Sequence, residues 1–406
     1  MRIAIVTQTR ALVGGVETYL EQVIAGLASR HTVAFWSASA DTGDRGVMAL
    51  PDHVAAWPGA ASHGETVTAL RHFNPGVVFT HGLDDPALEV DMLRVAPVVA
   101  MQHNYRGACV SGTKTLSWPG VRACDRTLGP ACLALYFPRR CGGLNPLTMG
   151  RLYGVQTARL ANLKGCAAVV TLSAHMRDEM LRQGLSASRV HVVPPFVEQR
   201  QWPAPVVRRS DEPVHLLFLG RLEPLKGLAR LLDALPRVAA TLNRAVILTV
   251  AGDGADRLGL EAHARWVTAG TAQVRVTFVG WQGREGRGRL FSDAQALVVP
   301  SIWPEPFGVV GLEAGVAGVP AVAFATGGIG DWLKDEQTGC LAPAAGARPT
   351  ALAEAIVRCV RDPESQVRLA RGAQAFAMRW TLERHLTALE RVMAEAAQAP
   401  RPGEDV

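Results

Sequence analysis

The chain has 406 residues, of which 48% are hydrophobic and 19% are charged, and its formal net charge is +6. This composition excludes disordered, fibrous, collagenous and disulfide-scaffold proteins, and the length suits roughly two to three domains. Only 6% of the residues are aromatic, which argues against a carbohydrate-binding β-sandwich or a base-stacking module, while the mild positive charge favours anionic partners.

The first half of the chain alternates short apolar runs with segments of helical periodicity. An amphipathic helix is predicted at 16–29, and strands are predicted at Ile3–Val6, His31–Trp36, Gly76–Thr80, Val98–Met101, Ala167–Leu172 and Val190–Val193. Strands that alternate with helices are typical of a parallel sheet covered on both faces.

Residues 194–213, which are rich in proline and mixed charges, predict a linker, and the same alternation resumes after it. Helices are predicted at 228–241, at 308–317 and from 350 onward, with strands at Val214–Leu219, Ala245–Val250, Val274–Val279, Ala296–Val299 and Val319–Phe324. The pattern predicts an α/β protein with two Rossmann-like, doubly wound domains facing a cleft. Their expected bounds are 1–195 and 196–380, with a helix at about 381–397 returning to the first domain and a flexible tail at 398–406.

The N-terminus MRIAIVTQTR lacks the long apolar segment of a signal peptide, and the chain has no apolar run long enough to span a bilayer. An odd number of cysteines suits a reducing compartment. We therefore expect a cytoplasmic protein, at most peripheral at the inner face of the membrane.

A glycine-rich turn between a strand and a helix occurs in each half of the chain. The first turn contains Gly14 and Gly15, and the second, 220–227, contains Arg221 and Lys226. Glycine lets a backbone approach a ligand closely, and a helix N-terminus attracts anions. Neither turn matches the dinucleotide or Walker pattern. Two tight turns with solvated charges are the alternative interpretation.

A third motif, 304–313, follows an apolar strand and places the carboxylates of Glu305 and Glu313 around a predicted helix start. Carboxylates accept hydrogen bonds from vicinal hydroxyls, and the unpaired backbone N–H groups of 307–309 could receive a pyrophosphate. The motif therefore suits a sugar nucleotide. The alternative is that Glu305 is a surface cap and Glu313 a solvated helix residue.

These three motifs, in order along nearly the whole chain, resemble the retaining glycosyltransferases of family 4, the superfamily of glycogen synthase and related mannosyltransferases. The resemblance implies a GT-B fold, in which two Rossmann-like domains are joined by helices that cross back to the first. It implies that Arg221 and Lys226 bind the donor diphosphate, that Glu313 binds the ribose and that Glu305 contacts the donor hexose. The other donor-binding residues that it implies are Gly15, Gly220, Phe307, Gly308 and Val309.

The resemblance also implies a histidine near the transferred sugar, late in the first domain. His103 follows the strand Val98–Met101 at the expected place, although Asn104 stands where family members often have aspartate. A structural histidine at a strand end is the alternative.

The function that the resemblance implies is transfer of a hexose, with retention of configuration, from a nucleoside diphosphate sugar to a saccharide, lipid-linked or small-molecule acceptor. A UDP-linked donor is favoured over a GDP-linked one. No Asp-x-Asp triplet occurs, so we expect neither a catalytic metal nor a cofactor, and no nucleic-acid partner. The alternatives are a nucleotide-sugar epimerase of the same fold and an inactive scaffold that binds sugar nucleotides.

Four of the seven cysteines, Cys109, Cys124, Cys132 and Cys141, fall in a predicted loop-rich insertion, 104–150. They lack the closely spaced pairs of a structural zinc site, so a metal site, disulfides and free thiols all stay open. The arginines of the insertion suit an acceptor that bears phosphate or carboxylate, and solvated loop charges are the alternative.

Overall fold

The computed structural model of the chain describes residues 1–12, 15–39, 46–57, 63–200 and 211–399. Gly14, residues 201–210 of the predicted linker and residues 400–406 of the predicted tail lie outside the described residues. The chain groups into two compact units. The first consists of 1–114, 125–194 and the residues from Leu382 onward, and the second of 115–124 and 195–381.

Parallel sheets form the centre of both units. The strands of the first half are β1 (Arg2–Thr7), β2 (Thr32–Ser37), β3 (Ala55–Trp57), β4 (Val77–His81), β5 (Val98–Gln102), β6 (Thr115–Leu116), β7 (Arg122–Ala123), β8 (Ala168–Thr171) and β9 (Val190–Val192). The sheet of the first unit has the order β3-β2-β1-β4-β5-β8-β9, whereas β6 and β7 form a separate antiparallel pair.

The second unit repeats this architecture. Its strands are β10 (Val214–Leu219), β11 (Val246–Ala251), β12 (Val274–Gly280), β13 (Ala296–Val299), β14 (Ala321–Phe324) and β15 (Gly339–Ala342). They pair in parallel in the order β12-β11-β10-β13-β14-β15. The first strand of each half therefore lies inside its sheet, as in doubly wound folds.

Helices connect the parallel strands. They are α1 (Gly15–Ala28), α2 (His63–Phe73), α3 (Pro86–Leu93), α4 (Ala131–Tyr136), α5 (Pro146–Gly165), α6 (Ala174–Arg182), α7 (Leu228–Leu242), α8 (Arg257–Ala269), α9 (Arg284–Asp293), α10 (Val310–Val316), α11 (Ile329–Trp332), α12 (Pro349–Val360), α13 (Pro363–Ala377) and α14 (Leu382–Ala396). Short 3₁₀ turns occur at Pro224–Lys226 and Ala345–Ala347. The prediction of two doubly wound α/β domains is confirmed.

The C-terminal helix α14 belongs to the first unit, as the predicted returning helix requires. It packs against α1 at Gly26, where a β-carbon would lie only 2.4 Å from Cδ1 of Leu386. Arg30, which follows α1, forms ion pairs with Glu383 and Glu390 on α14. No helix in the described part of the chain is both long enough and apolar enough to cross a membrane.

The structure differs from the sequence prediction mainly in short elements. Strands β3 and β15 were not predicted, because three or four residues carry little periodicity and β15 begins with a glycine. The insertion 104–150 is less irregular than expected, since it contains α4 and the start of α5, and its residues 115–124 group with the second unit. The predicted helix 308–317 is shorter and spans Val310–Val316.

Candidate active site

The turn after β10 holds Lys226 against Glu305. The ammonium Nζ of Lys226 donates a hydrogen bond to Oε1 of Glu305 over 2.6 Å and lies 5.0 Å from the ring centre of Trp303. The Lys226 side chain is 20% exposed and that of Glu305 only 6% exposed. A lysine ammonium has three donors, so a group that presents anionic oxygen can bind to this cation without breaking the pair.

The turn depends on Gly227, whose φ is +72°. A β-carbon there would lie 1.9 Å from the backbone oxygen of Pro300, closer than atoms can approach. We therefore expect Gly227→Ala to destabilise the protein by about 2–4 kcal/mol in urea unfolding. Gly259 on α8 is the matched control, because its β-carbon would meet only Oδ1 of Asp256 at 3.5 Å. Equal effects of the two alanine substitutions would contradict this explanation.

Glu305 is held by its backbone as well as by its side chain. The hydroxyl of Ser301 donates to Oε1 of Glu305, and the backbone N–H of Gly328 donates to its carbonyl oxygen over 2.7 Å. Gly327, at φ +56°, lies so close that a β-carbon would be 2.3 Å from that oxygen. The carboxylate is therefore buried and preorganised, which excludes the interpretation of Glu305 as a surface cap.

The backbone of Phe307 and Gly308 is fixed by Trp332. The indole Nε1 of Trp332 donates to the carbonyl oxygen of Phe307 over 2.6 Å. Gly308 has a φ of +95°, and a β-carbon there would lie 3.2 Å from the same Nε1. The Phe307 ring is buried against Trp380, with centroids 5.3 Å apart, so only the backbone of Phe307 and Gly308 is placed to contact a ligand. Val309 is half-buried just before α10.

Glu313, on α10, pairs with Arg287 of α9. Nη1 of Arg287 donates to both carboxylate oxygens, over 2.9 and 2.8 Å. Burial raises the pKa of Glu313, and the positive charge of Arg287 opposes that rise. Arg287 thus fixes the orientation of the Glu313 carboxyl group, which disfavours the interpretation of a solvated helix residue.

Arg221, Gly220 and Gly15 have simpler surroundings. Nη1 of Arg221 donates to Glu223 over 2.7 Å, and the Arg221 side chain is 66% exposed. The backbone oxygen of Gly220 would lie 1.8 Å from a β-carbon at Gly252, so the two backbones are in close contact. Gly15 opens α1, and a β-carbon there would meet no described atom within 4 Å.

His103 belongs to a cluster of aromatic side chains in the first unit. Its Nε2 lies 3.0 Å from Nδ1 of His81 at the end of β4, and its ring packs edge-on against Tyr19 of α1. The hydroxyl of Tyr19 lies 2.7 Å from Nε2 of His385 on α14. The cluster thus joins the ends of the central strands β4 and β5 to the helices α1 and α14 around His103.

The hydrogen bonds of this cluster determine which ring nitrogens carry protons. A carbonyl oxygen only accepts, so Nδ1 of His385 donates to Pro194 over 2.7 Å, and its Nε2 accepts from Tyr19. Nε2 of His81 is buried and has no partner among the described residues. A proton there would be an unpaired donor, which is rarer than an unpaired acceptor, so Nδ1 of His81 donates to His103. The proton of neutral His103 is then on its Nδ1.

The cluster predicts loss of stability in mild acid. Burial lowers the pKa of His103 and of His385 to about 4 in the folded protein, from the ordinary histidine value of about 6.5. The unfolded chain therefore binds more protons between pH 6.5 and 4, and the free energy of unfolding falls as the pH falls through this window, by up to about 1.4 kcal/mol per pH unit for each group. Urea unfolding at several pH values measures this slope. His385→Asn, which keeps a donor toward Pro194, should flatten it, and an unchanged slope would contradict the assignment.

A cleft opens beside His103 within the first unit. Its polar lining includes Asn104, Arg106 and the buried Arg159, whose Nε donates to Glu89 over 2.8 Å. Nη1 of Arg106 pairs with Asp84 over 2.7 Å. The cleft combines hydrogen-bonding groups with the half-buried, ion-paired Arg106.

The four clustered cysteines form no metal site in the structure. No group of three or more metal-binding side chains occurs among the described residues. The thiol of Cys109 lies 3.4 Å from the Ser111 hydroxyl, and that of Cys132 donates to the Thr127 carbonyl over 3.6 Å. Cys124 and Cys141 are half-buried.

Several residues of the site were not predicted from the sequence. Ser301 and Gly327 contact Glu305, Arg287 contacts Glu313, and His81 and His385 complete the cluster around His103. A signal existed for Arg287, which stands in a basic segment after β12, and for His81, which ends a strand. No signal in the sequence indicated His385, because it lies 366 positions from its partner Tyr19 in the chain.

Two family models match the chain in consecutive segments. The model described as "Glycosyltransferase Family 4" matches residues 13–201, and the model "Glycosyl transferases group 1" matches residues 200–376. The chain therefore belongs to the GT-B glycosyltransferases, and among them it is similar to family 4.

Curated relatives agree with this assignment. Glycogen synthase of Mycobacterium tuberculosis is 34% identical over 209 residues, which are 51% of this chain and 49% of that protein. D-inositol 3-phosphate glycosyltransferase of Salinispora tropica is 33% identical over 207 residues, which are 48% of this chain and 41% of that protein. The chain thus spans about half the length of the curated relatives it matches.

Solved structures show the same fold. Anabaena HepE in complex with UDP-glucose has a TM-score of 0.66 at 17% identity, and the match covers 98% of this chain and 100% of HepE. The lipopolysaccharide outer core galactosyltransferase WaaB has a TM-score of 0.67 at 16% identity, over 97% of this chain and 99% of WaaB.

Proposed function

We propose that this protein is a retaining glycosyltransferase that moves a hexose from a nucleoside diphosphate sugar to a saccharide, lipid-linked or small-molecule acceptor. The observation that carries the proposal is the partly buried Lys226–Glu305 pair, in which a cation and a carboxylate are held 2.6 Å apart in the loops that follow β10 and β13. Open α/β sheets bind ligands at this carboxyl edge.

Each side chain has a role in this proposal. Lys226 and Arg221 stabilise the charge that develops on the leaving diphosphate. Glu313, oriented by Arg287, accepts hydrogen bonds from the ribose hydroxyls, and Glu305 accepts from the hexose. The backbone of 307–309 approaches the diphosphate where Gly308 leaves room.

We propose that the reaction proceeds on one face of the sugar, without a covalent intermediate. The donor phosphate oxygen then helps to deprotonate the acceptor, and the neutral His103 donates a hydrogen bond from its Nδ1 to the transferred hexose. Neither a metal nor a cofactor takes part. UDP-linked sugars are the favoured donors, a preference supported by the similar fold of HepE, which was solved with UDP-glucose.

The acceptor side of the proposal rests on the first unit. The cleft beside His103 presents Arg106 and suits an acceptor that bears phosphate or carboxylate. A lipid-linked acceptor requires peripheral contact with the inner face of a membrane.

Incubation with a panel of nucleotide sugars, with and without a chelator, tests the proposal. We expect hydrolysis or transfer in the presence of the chelator, with the anomeric configuration retained in the product by NMR. Interconversion of the sugar would instead indicate an epimerase, and binding without turnover would indicate an inactive scaffold. Turnover that the chelator abolishes would contradict metal independence.

A further inference from the structure

The positive charge of the chain is concentrated in one segment. Residues 104–160 contain eight lysines and arginines and one acidic residue, so this segment has a net charge of +7, while the whole chain has +6. Ion pairs with carboxylates of the first unit involve Lys114, Arg106 and Arg159. The segment also places Arg126, Arg139, Arg140 and Arg151 in the first unit, and all of them are exposed except Arg139, which is half-buried.

The same segment exposes two leucines three positions apart in the sequence. Leu144 is 80% exposed and Leu147 is 83% exposed. They flank Asn145, whose side-chain oxygen accepts the backbone N–H of Leu147 over 2.9 Å and so caps α5. Arg151 follows Leu147 by one helical turn and therefore lies on the same side of α5.

The loop that carries Leu144 is attached to the fold. The backbone N–H of Cys141 donates to the carbonyl oxygen of Tyr136 over 3.0 Å, and the Tyr136 ring is buried. A β-carbon at Gly142 would lie 2.1 Å from the Tyr136 hydroxyl, so loop and ring are in close contact. The loop that carries Leu144 is therefore anchored to the folded core of the first unit through Tyr136.

We propose that residues 139–151 are a docking surface for an anionic lipid bilayer, into which Leu144 and Leu147 insert while Arg140 and Arg151 contact the headgroups. Exposed apolar side chains that are flanked along the chain by cations are the complement of such an interface. A second copy of the chain fits less well, because a symmetric contact would place like charges opposite each other. The inference deepens the peripheral membrane contact of the proposed function, and its test does not depend on sugar transfer.

Flotation of the full chain with vesicles tests the inference. We expect binding to vesicles of phosphatidylcholine mixed with phosphatidylglycerol, weaker binding at high salt, and little binding to phosphatidylcholine alone. The double variant Leu144→Ser, Leu147→Ser should lower the partition onto anionic vesicles roughly tenfold or more. Arg140→Gln with Arg151→Gln should lower both the binding and its dependence on salt.

Leu258→Ser is the matched control, because Leu258 is also 80% exposed but lies on α8 of the second unit. It should bind like the unmodified chain. Two results would overturn the inference: no flotation with anionic vesicles, or flotation that the leucine double variant leaves unchanged. Concentration-dependent dimers that the double variant abolishes would show instead that the surface binds a second copy. Nucleoside diphosphate release from the donor is measured separately, without lipid. Normal release without flotation would overturn only the membrane inference, whereas absent release would count against the proposed transferase function.

Discussion

Replacement of Lys226 by alanine is expected to lower kcat/KM for the nucleotide-sugar donor by at least ~100-fold. The ammonium of Lys226 stabilises charge on the leaving diphosphate, and it also neutralises Glu305, which is buried and has few other partners to hold it. Removing either member of the pair damages both, so we expect Glu305→Ala to have an effect of the same size.

Stability must be separated from chemistry in this experiment. Loss of Lys226 leaves a buried carboxylate without its cation, and some loss of thermal stability is therefore expected. Activity is compared at a temperature at which each variant is folded, as judged by its Tm. The control is Arg237→Ala, since Arg237 and Glu354 form an exposed ion pair in the same unit, with side chains 54% and 65% exposed. Near-normal kcat/KM of the Lys226 or the Glu305 variant would refute the site assignment.

Glu313→Ala is expected to weaken binding of the nucleoside diphosphate by roughly 10- to 100-fold and to affect kcat less. Glu313 is proposed to hold the ribose, which contacts the protein equally in the ground state and the transition state, so its loss should appear mainly in KM. Arg287 holds the carboxylate through both oxygens, which fixes the direction in which it can accept.

A pair of ligands makes this prediction specific. Calorimetry with UDP and with its 2′- and 3′-deoxy analogues measures how much each ribose hydroxyl contributes. The unmodified protein should prefer UDP over at least one deoxy analogue, and Glu313→Ala should lose that preference. If the variant still discriminates as the unmodified protein does, Glu313 does not contact the ribose.

Much of the fold could be predicted from the sequence because the central strands are buried on both faces. Runs such as Ile3–Val6 and Ala296–Val299 are continuously apolar for that reason, and the structure places both within parallel sheets. The edge strand β15 was missed, because a short strand that begins with Gly339 has neither length nor periodicity.

The site could be predicted only in part. Local motifs carried Lys226, Glu305 and Glu313, since their residue types and spacing are visible in the chain. Their partners depend on tertiary contacts: Arg287 lies 26 positions from Glu313, and Lys226 lies 79 positions from Glu305. No periodicity in the sequence indicates which distant side chains a parallel sheet brings to one edge.

Arg221 also shows a limit of prediction from the sequence, because the structure does not indicate its ligand. Its sequence position predicted a diphosphate ligand, and the structure shows an exposed side chain paired with the adjacent Glu223. An exposed pair of this kind contributes little to stability. The role of Arg221 therefore depends on the donor and stays a prediction.

The most direct test of the central claim is titration of UDP into the ligand-free chain in the presence of a chelator. The claim is that the Lys226–Glu305 pair and Glu313 together bind a nucleoside diphosphate without a metal. We predict saturable binding to the unmodified protein, lost on Lys226→Ala and weakened on Glu313→Ala, with Arg237→Ala unchanged. Absence of binding by UDP and by other nucleoside diphosphates, or equal affinity of the Lys226→Ala variant, would contradict it.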